Sequence, residues 1–90
     1  MLTSSQIRGG RAFLNISQIE LAQKADISFR SVQKFEYSDE MLARANLATI
    51  RKIKEFFEAS GLKFISANKE KGLGVGLRFV DIADEDDGDE

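Results

Sequence analysis

Neither cysteine nor histidine occurs among the ninety residues. The side chains that most often act as thiolate nucleophiles, neutral-pH general bases and zinc ligands are therefore missing together. Carboxylates remain, and with them a carboxylate-only enzyme or a magnesium site. No acids are paired around a plausible pocket, however, so no enzyme, metal site or cofactor is expected. Seven of the fifteen acids crowd into the last ten residues: Asp81, Asp84, Glu85, Asp86, Asp87, Asp89 and Glu90. The whole chain carries a formal charge of −2, but residues 1–80 hold thirteen bases against eight acids, or +5. A basic body joined to an acidic end hints at a nucleic-acid partner. Gly72-Leu73-Gly74-Val75-Gly76 has the composition of a nucleotide loop, but no helix follows to hold a phosphate, and a strand connection explains it better.

Ninety residues suit one compact domain with a modest core. No run approaches the roughly 20 apolar residues needed to span a bilayer. Residues 1–6 are polar and lack the pattern of a secretory leader, so a cytoplasmic protein is expected. Three parts follow along the chain: residues 1–61, helical; 62–80, a strand pair; and 81–90, an acidic tail with too little apolar content to order itself.

Thr3 or Ser4 opens a first helix running to about Leu14, with Gly9 and Gly10 inside it, where they can admit a close neighbour. Ser17 with Glu20 three residues on is a capping box for a second helix, Gln18 to about Lys24. Asp26-Ile27-Ser28 is a tight break, and Ser28 caps a third helix, Phe29 to about Tyr37. Val32 and Phe35 point one way on it, and Arg30, Gln33 and Lys34 point elsewhere. Met41 to Ala45 reads as a loop or an extra turn. Leu47, Ile50, Ile53 (or Lys54) and Phe57 recur at helical spacing between the cap Asn46 and the stop Gly61, and Leu47, Ile50 and Phe57 are expected in the core with Val32 and Phe35. Beyond Gly61 the period becomes two. Leu62 and Phe64, then Val75, Leu77 and Phe79, alternate around a polar connection and predict a β-hairpin.

Two short helices about a sharp three-residue break fit a helix-turn-helix. In that unit the first helix braces the second, which offers polar residues near its N-terminus to base edges in the major groove. The crossing needs a small residue in the first helix, an apolar one in the turn and a branched one in the second. Ala22, Ile27 and Val32 meet all three requirements.

The run Ile16-Ser17-Gln18-Ile19-Glu20-Leu21-Ala22-Gln23-Lys24-Ala25-Asp26-Ile27-Ser28, continued by Val32-Gln33-Lys34-Phe35-Glu36, resembles the phage-repressor Cro/C1-type (XRE) helix-turn-helix family. Ile7 to Leu14 resembles that family's first helix and Leu47 to Gly61 its closing helix. Leu62-Lys63-Phe64-Ile65 and Gly74-Val75-Gly76-Leu77-Arg78 resemble a strand pair of a small bacterial subgroup. The resemblance spans about residues 5–80. It departs at Asp26 and at Tyr37-Ser38, where the family often has glycine. It implies a mainly α, lambda-repressor-like bundle of four to five helices with a C-terminal β-hairpin.

Carried onto this chain, the family pattern implies a sequence-specific transcriptional regulator that binds double-stranded DNA as a homodimer, with a recognition helix at about 28–37. Ser17 and Gln18 would meet phosphate with the amides of their helix. Ser28 would touch a phosphate or base edge, Phe29 a thymine methyl, and Arg30 a guanine edge. Gln33 and Lys34 would reach a base or a phosphate. Arg11 and Arg44 are candidate neutralisers of the DNA backbone, and Arg11 is equally a candidate partner for Glu36. The hairpin either dimerises or packs on its own helices. Rival readings on the same fold are an antitoxin-like protein whose hairpin or tail binds a protein partner, and an adaptor that no longer binds DNA.

Overall fold

The chain is mainly helical. The computed structural model describes residues 2–65 and, as backbone, residues 76–79. The elements run α1 (Ser4–Leu14), α2 (Gln18–Ala25), α3 (Phe29–Tyr37), α4 (Asp39–Ala43), α5 (Leu47–Ala59), β1 (Leu62–Ile65) and β2 (Gly76–Phe79). Met41 to Ala43, open between loop and turn in the sequence, belong to α4. The acidic tail and the connection 66–75, with the glycine-rich run at 72–75, lie outside the described residues.

Local chemistry sets most boundaries. Thr3 caps α1 and Ser17 caps α2, each in a reciprocal capping box, with Gln6 and Glu20 respectively. Such caps satisfy helix N–H groups that have no partner inside the helix. Ser28 caps α3 and Asn46 caps α5, while Ser38 both ends α3 and caps α4. Asn15 and Asp26 end α1 and α2 in the left-handed region, at φ 57° and 59°. These two residue types adopt that conformation at lower cost than other side chains. Gly61 follows α5 at φ 97° and turns the chain into β1.

Ile7, Leu21, Val32, Ile53, Phe57 and Leu62 are fully buried and join one core across α1, α2, α3, α5 and β1. Each such side chain contributes about 1.5–3 kcal/mol on leaving water. β1 pairs antiparallel with β2 in the register Leu62↔Phe79, Lys63↔Arg78, Phe64↔Leu77 and Ile65↔Gly76. β1 packs on the helices of its own chain: Leu62 enters the core, and the Phe64 ring meets Phe57 edge-on at 5.4 Å. The Gln6 amide also donates to the Ile65 carbonyl at 3.1 Å.

Leu47 corrects the expected core, being 78 % exposed. Each step of three residues along an α-helix falls about 60° short of a full turn. Two such steps carry Leu47 some 120° away from Ile53, which faces the core. Ile50, one step away, is half-buried, and Phe57, a four-residue step on, is fully buried.

Gly10 has a packing reason. A Cβ built on it would stand 3.0–3.3 Å from three atoms of the buried Phe57 ring, so α1 and α5 meet with no room for a side chain. Gly10→Val should therefore lower stability by about 2–3 kcal/mol through overpacking and distortion. Urea unfolding followed by far-UV circular dichroism checks this, and an unchanged midpoint would contradict the contact.

Candidate nucleic-acid interface

α3 divides cleanly into two faces. Val32, Phe35 and Glu36 are buried. Arg30, Gln33, Lys34 and Tyr37 are exposed, at i, i+3, i+4 and i+7, and so form one outward stripe. The side chains of Arg30, Gln33 and Lys34 make no hydrogen bond or ion pair among the described residues. The stripe carries two cations and no carboxylate.

The only acid on α3 is Glu36, which is buried, and its oxygens accept from two other helices. Arg11 Nε donates to Oε2 at 2.8 Å, and Arg11 Nη2 donates to Oε1 at 3.0 Å. Gln18 Nε2 donates to Oε1 at 3.1 Å. The remaining guanidinium nitrogen of Arg11 donates to the Ile16 carbonyl at 3.1 Å, and Arg8 donates to the Glu36 carbonyl. The bonds to Glu36 raise the Arg11 pKa above its ordinary value, with partial burial opposing them. Of the two roles open to Arg11, the structure displays the pairing with Glu36. Its donors are committed inside the chain, where they hold α1 to α3.

The turn before α3 is fastened from α5. Lys52 Nζ donates to the Asp26 carbonyl at 3.2 Å and lies 3.5 Å from its carboxylate. The Ile27 N–H donates to the Ala22 carbonyl at 3.0 Å, and Ile27 packs against the core. Lys52 lies 26 residues from the turn, and no local spacing could have marked it.

Two grooves flank the stripe residues. One, of about 320 Å³, is lined by Arg11, Ser17, Gln18, Ile19 and Phe29, and so gathers four of the expected site residues. Ser17 Oγ accepts the Glu20 N–H at 3.1 Å. Phe29 is 41 % exposed and Ile19 is 55 % exposed. The other groove, of about 450 Å³, contains Lys34 and Arg44 together with Ser31, Asn46 and Thr49. Arg44 also pairs with Glu40 at 3.3 Å, but both side chains are exposed, so the pair is worth little. Ser28 caps α3, and its Oγ also donates to Ser31 Oγ at 2.8 Å. Sequence reasoning passed over Ile19 and Tyr37. Tyr37 is 82 % exposed, and its place seven residues after Arg30 was a usable signal.

No known protein family matches the chain, and neither does any curated protein. Among the described residues, no group of three or more carboxylates comes together to hold a metal ion, and no helix is long and apolar enough to cross a membrane.

Glu36→Ala would remove the acceptor of three charge-assisted or amide hydrogen bonds and leave a partly buried guanidinium without its carboxylate. A loss of about 2–4 kcal/mol is expected in urea unfolding. Replacing both partners, in Arg11→Met with Glu36→Leu, should cost clearly less than the two single changes added together.

Glu20 supplies a pH dependence. Hydrogen bonds from the Ser17 backbone and side chain hold its carboxyl below the ordinary value. A carboxyl depressed in the folded state adds stability above its unfolded pKa, and that stability is lost as pH falls through the folded value. Wild type should therefore exceed Glu20→Gln in stability near neutral pH, and the gap should close between about pH 5 and pH 3. Paired denaturation curves at several pH values measure it.

Proposed function

We propose that the chain is a sequence-specific, DNA-binding transcriptional regulator of the Cro/C1 type, in which α2, the Asp26 turn and α3 form the helix-turn-helix. The observation that carries this reading is the outward stripe of α3. Arg30, Gln33 and Lys34 lie on one exposed face without internal partners, while the acid of the same helix is buried and neutralised by Arg11. A helix so divided can lay its polar face in a major groove without unpairing anything inside the fold.

The roles follow from position. Arg30, near the N-terminus of α3, binds a guanine edge bidentately. Gln33, Lys34 and Tyr37 continue along the groove to base edges and phosphates. Ser17 and Gln18 approach one phosphate strand with the free amides of α2, and Lys34 with Arg44 approaches another. Arg11 acts indirectly, because it holds α3 and Gln18 in place through Glu36. Two copies dock their α3 helices in successive major grooves, about 34 Å apart on a two-fold site. Binding then controls transcription by blocking or recruiting the polymerase.

Selection from a random duplex library, followed by salt titration, tests the reading. Wild type should recover a two-fold-symmetric motif. Arg30→Ala should lose about 1–3 kcal/mol and relax the motif at one position per half-site. Lys34→Ala should weaken all sequences alike and flatten the salt slope, as loss of a phosphate contact does. Failure to select any motif, with weak binding indifferent to both changes, would overturn the reading in favour of an adaptor or a protein-binding module.

A further inference from the structure

Residues 81–90 gather seven carboxylates and no base, while α3 turns two cations and no carboxylate outward. The groove of about 450 Å³ lined from α3, α4 and α5 holds Lys34 together with Arg44, and Ser31, Asn46 and Thr49 add hydroxyl and amide groups to its lining. Ammonium, guanidinium, hydroxyl and amide groups all donate hydrogen bonds, and an ionised carboxylate only accepts them. The acidic segment and this face of the fold are therefore complementary in charge and in hydrogen-bonding sense.

Most other described cations already have an acid close by. Arg11 is held by Glu36, and Lys52 by Asp26. Arg51 and Lys54 each have an acid four residues on, Glu55 and Glu58, and Lys24 has Glu20 four residues before it, so each cation shares a helix side with a carboxylate. Arg44 pairs with Glu40, but both side chains are exposed, and such a pair exchanges readily for another. The segment can also reach α3. β2 packs against α1, and α1 packs against α3. The path from the strand is thus one helix width, about 10 Å, and at most the length of α1, about 16 Å for its 11 residues. Asp86, Asp87, Asp89 and Glu90 stand seven to eleven residues beyond Phe79, the last residue of β2, or about 23–36 Å of chain at full extension.

We infer that the acidic segment 81–90 docks on the α3 face of its own chain, with its carboxylates on Arg30, Lys34 and Arg44. Each contact is an exposed ion pair and weak by itself. Joined to the same chain, however, the acids meet the face at an effective concentration on the order of millimolar, which covers it in a sizeable share of molecules. Salt screens such contacts and frees the face. The docking needs no DNA. Its consequence rests on the DNA-binding reading above: the segment occupies the stripe that a duplex must use, and affinity for every duplex is multiplied by the fraction of molecules whose face is free.

The experiment uses the full chain without DNA. The sequence has no cysteine, so Gly88→Cys offers a single thiol for a nitroxide label, which broadens only nearby amide NMR signals. In low salt, the amides of Arg30, Lys34 and Arg44 should lose about half of their intensity, and those of α5 beyond Thr49 little. About 0.5 M NaCl should restore them. So should glutamine at Arg30, Lys34 and Arg44 together, a change confined to exposed side chains, and so should Asn and Gln in place of the seven acids. Broadening confined to Lys63 and Arg78, which oppose each other in the hairpin register, would put the segment on the strands and overturn the inference. Broadening that arises only between a nitroxide-bearing chain and a second, isotope-labelled chain would assign the docking to another copy and overturn docking in cis. Uniform broadening, or none, would refute docking altogether. A selected duplex then separates the two readings. If the segment docks but no duplex displaces it, the regulator reading falls and the docking stands. If docking is refuted while Arg30→Ala still relaxes a selected motif, only the docking falls.

Discussion

The buried carboxylate of Glu36 is the contact on which the working surface depends. Removing a carboxylate from water costs several kcal/mol unless donors replace the lost hydration. Here Arg11 supplies two and Gln18 a third, from two different helices. All three bonds form only when α3 has one rotation about its axis. A turn of one residue, about 100°, would pull Glu36 away from its donors and roll Arg30, Gln33 and Lys34 out of the exposed stripe. The burial of one acid therefore sets the direction in which Arg30, Gln33 and Lys34 face. Hydrophobic contacts alone would hold α3 less strictly, because Val32 and Phe35 tolerate small rotations that a bidentate ion pair does not.

The other restraints on α3 act at its two ends. At its start, Asp26 adopts the left-handed backbone, Ile27 anchors the turn in the core, and Lys52 clamps the Asp26 carbonyl from α5. At its end, Ser38 closes α3 and opens α4 in the same residue, so the chain cannot continue straight. α5 packs against α2 beside the turn, and its Phe57 ring also covers Gly10 of α1.

Charge is sorted by the same contacts. Among the described acids, Glu36 is taken by Arg11, Asp26 by Lys52, Glu40 by Arg44 and Glu20 by the cap of α2, while Glu55 and Glu58 stand exposed on α5, away from α3 in the chain. Asp39 accepts the Ser4 N–H at 2.7 Å. Arg30 and Lys34 are left as unopposed cations on α3. A chain whose formal charge is slightly negative can in this way present a positive face, since it is the local arrangement rather than the sum that a polyanion meets.

Much of this was legible in the chain itself. Ser17 with Glu20, Ser28, Asn46 and Gly61 mark helix ends because capping is chemistry between residues two to four apart. The buried and exposed sides of α3 follow from Val32 and Phe35 against Arg30, Gln33 and Lys34, because helical period is a local property too. The same period, followed with three-residue steps alone, put Leu47 in the core, where the accumulated angle takes it to the surface. Other features depended on residues that meet only after folding. The sequence left Arg11 with two possible roles, and the choice fell to Glu36, 25 residues away and desolvated by the packing of three helices. The clamp of Lys52 on Asp26, the fit of Phe57 over Gly10 and the groove shared by Ile19 and Phe29 are likewise contacts between separate helices. The sequence by itself determined where the elements lie and which faces they bury, since those depend on neighbours along the chain. Only the tertiary structure decided which charges are spent internally and which remain exposed, because that depends on which helices come into contact.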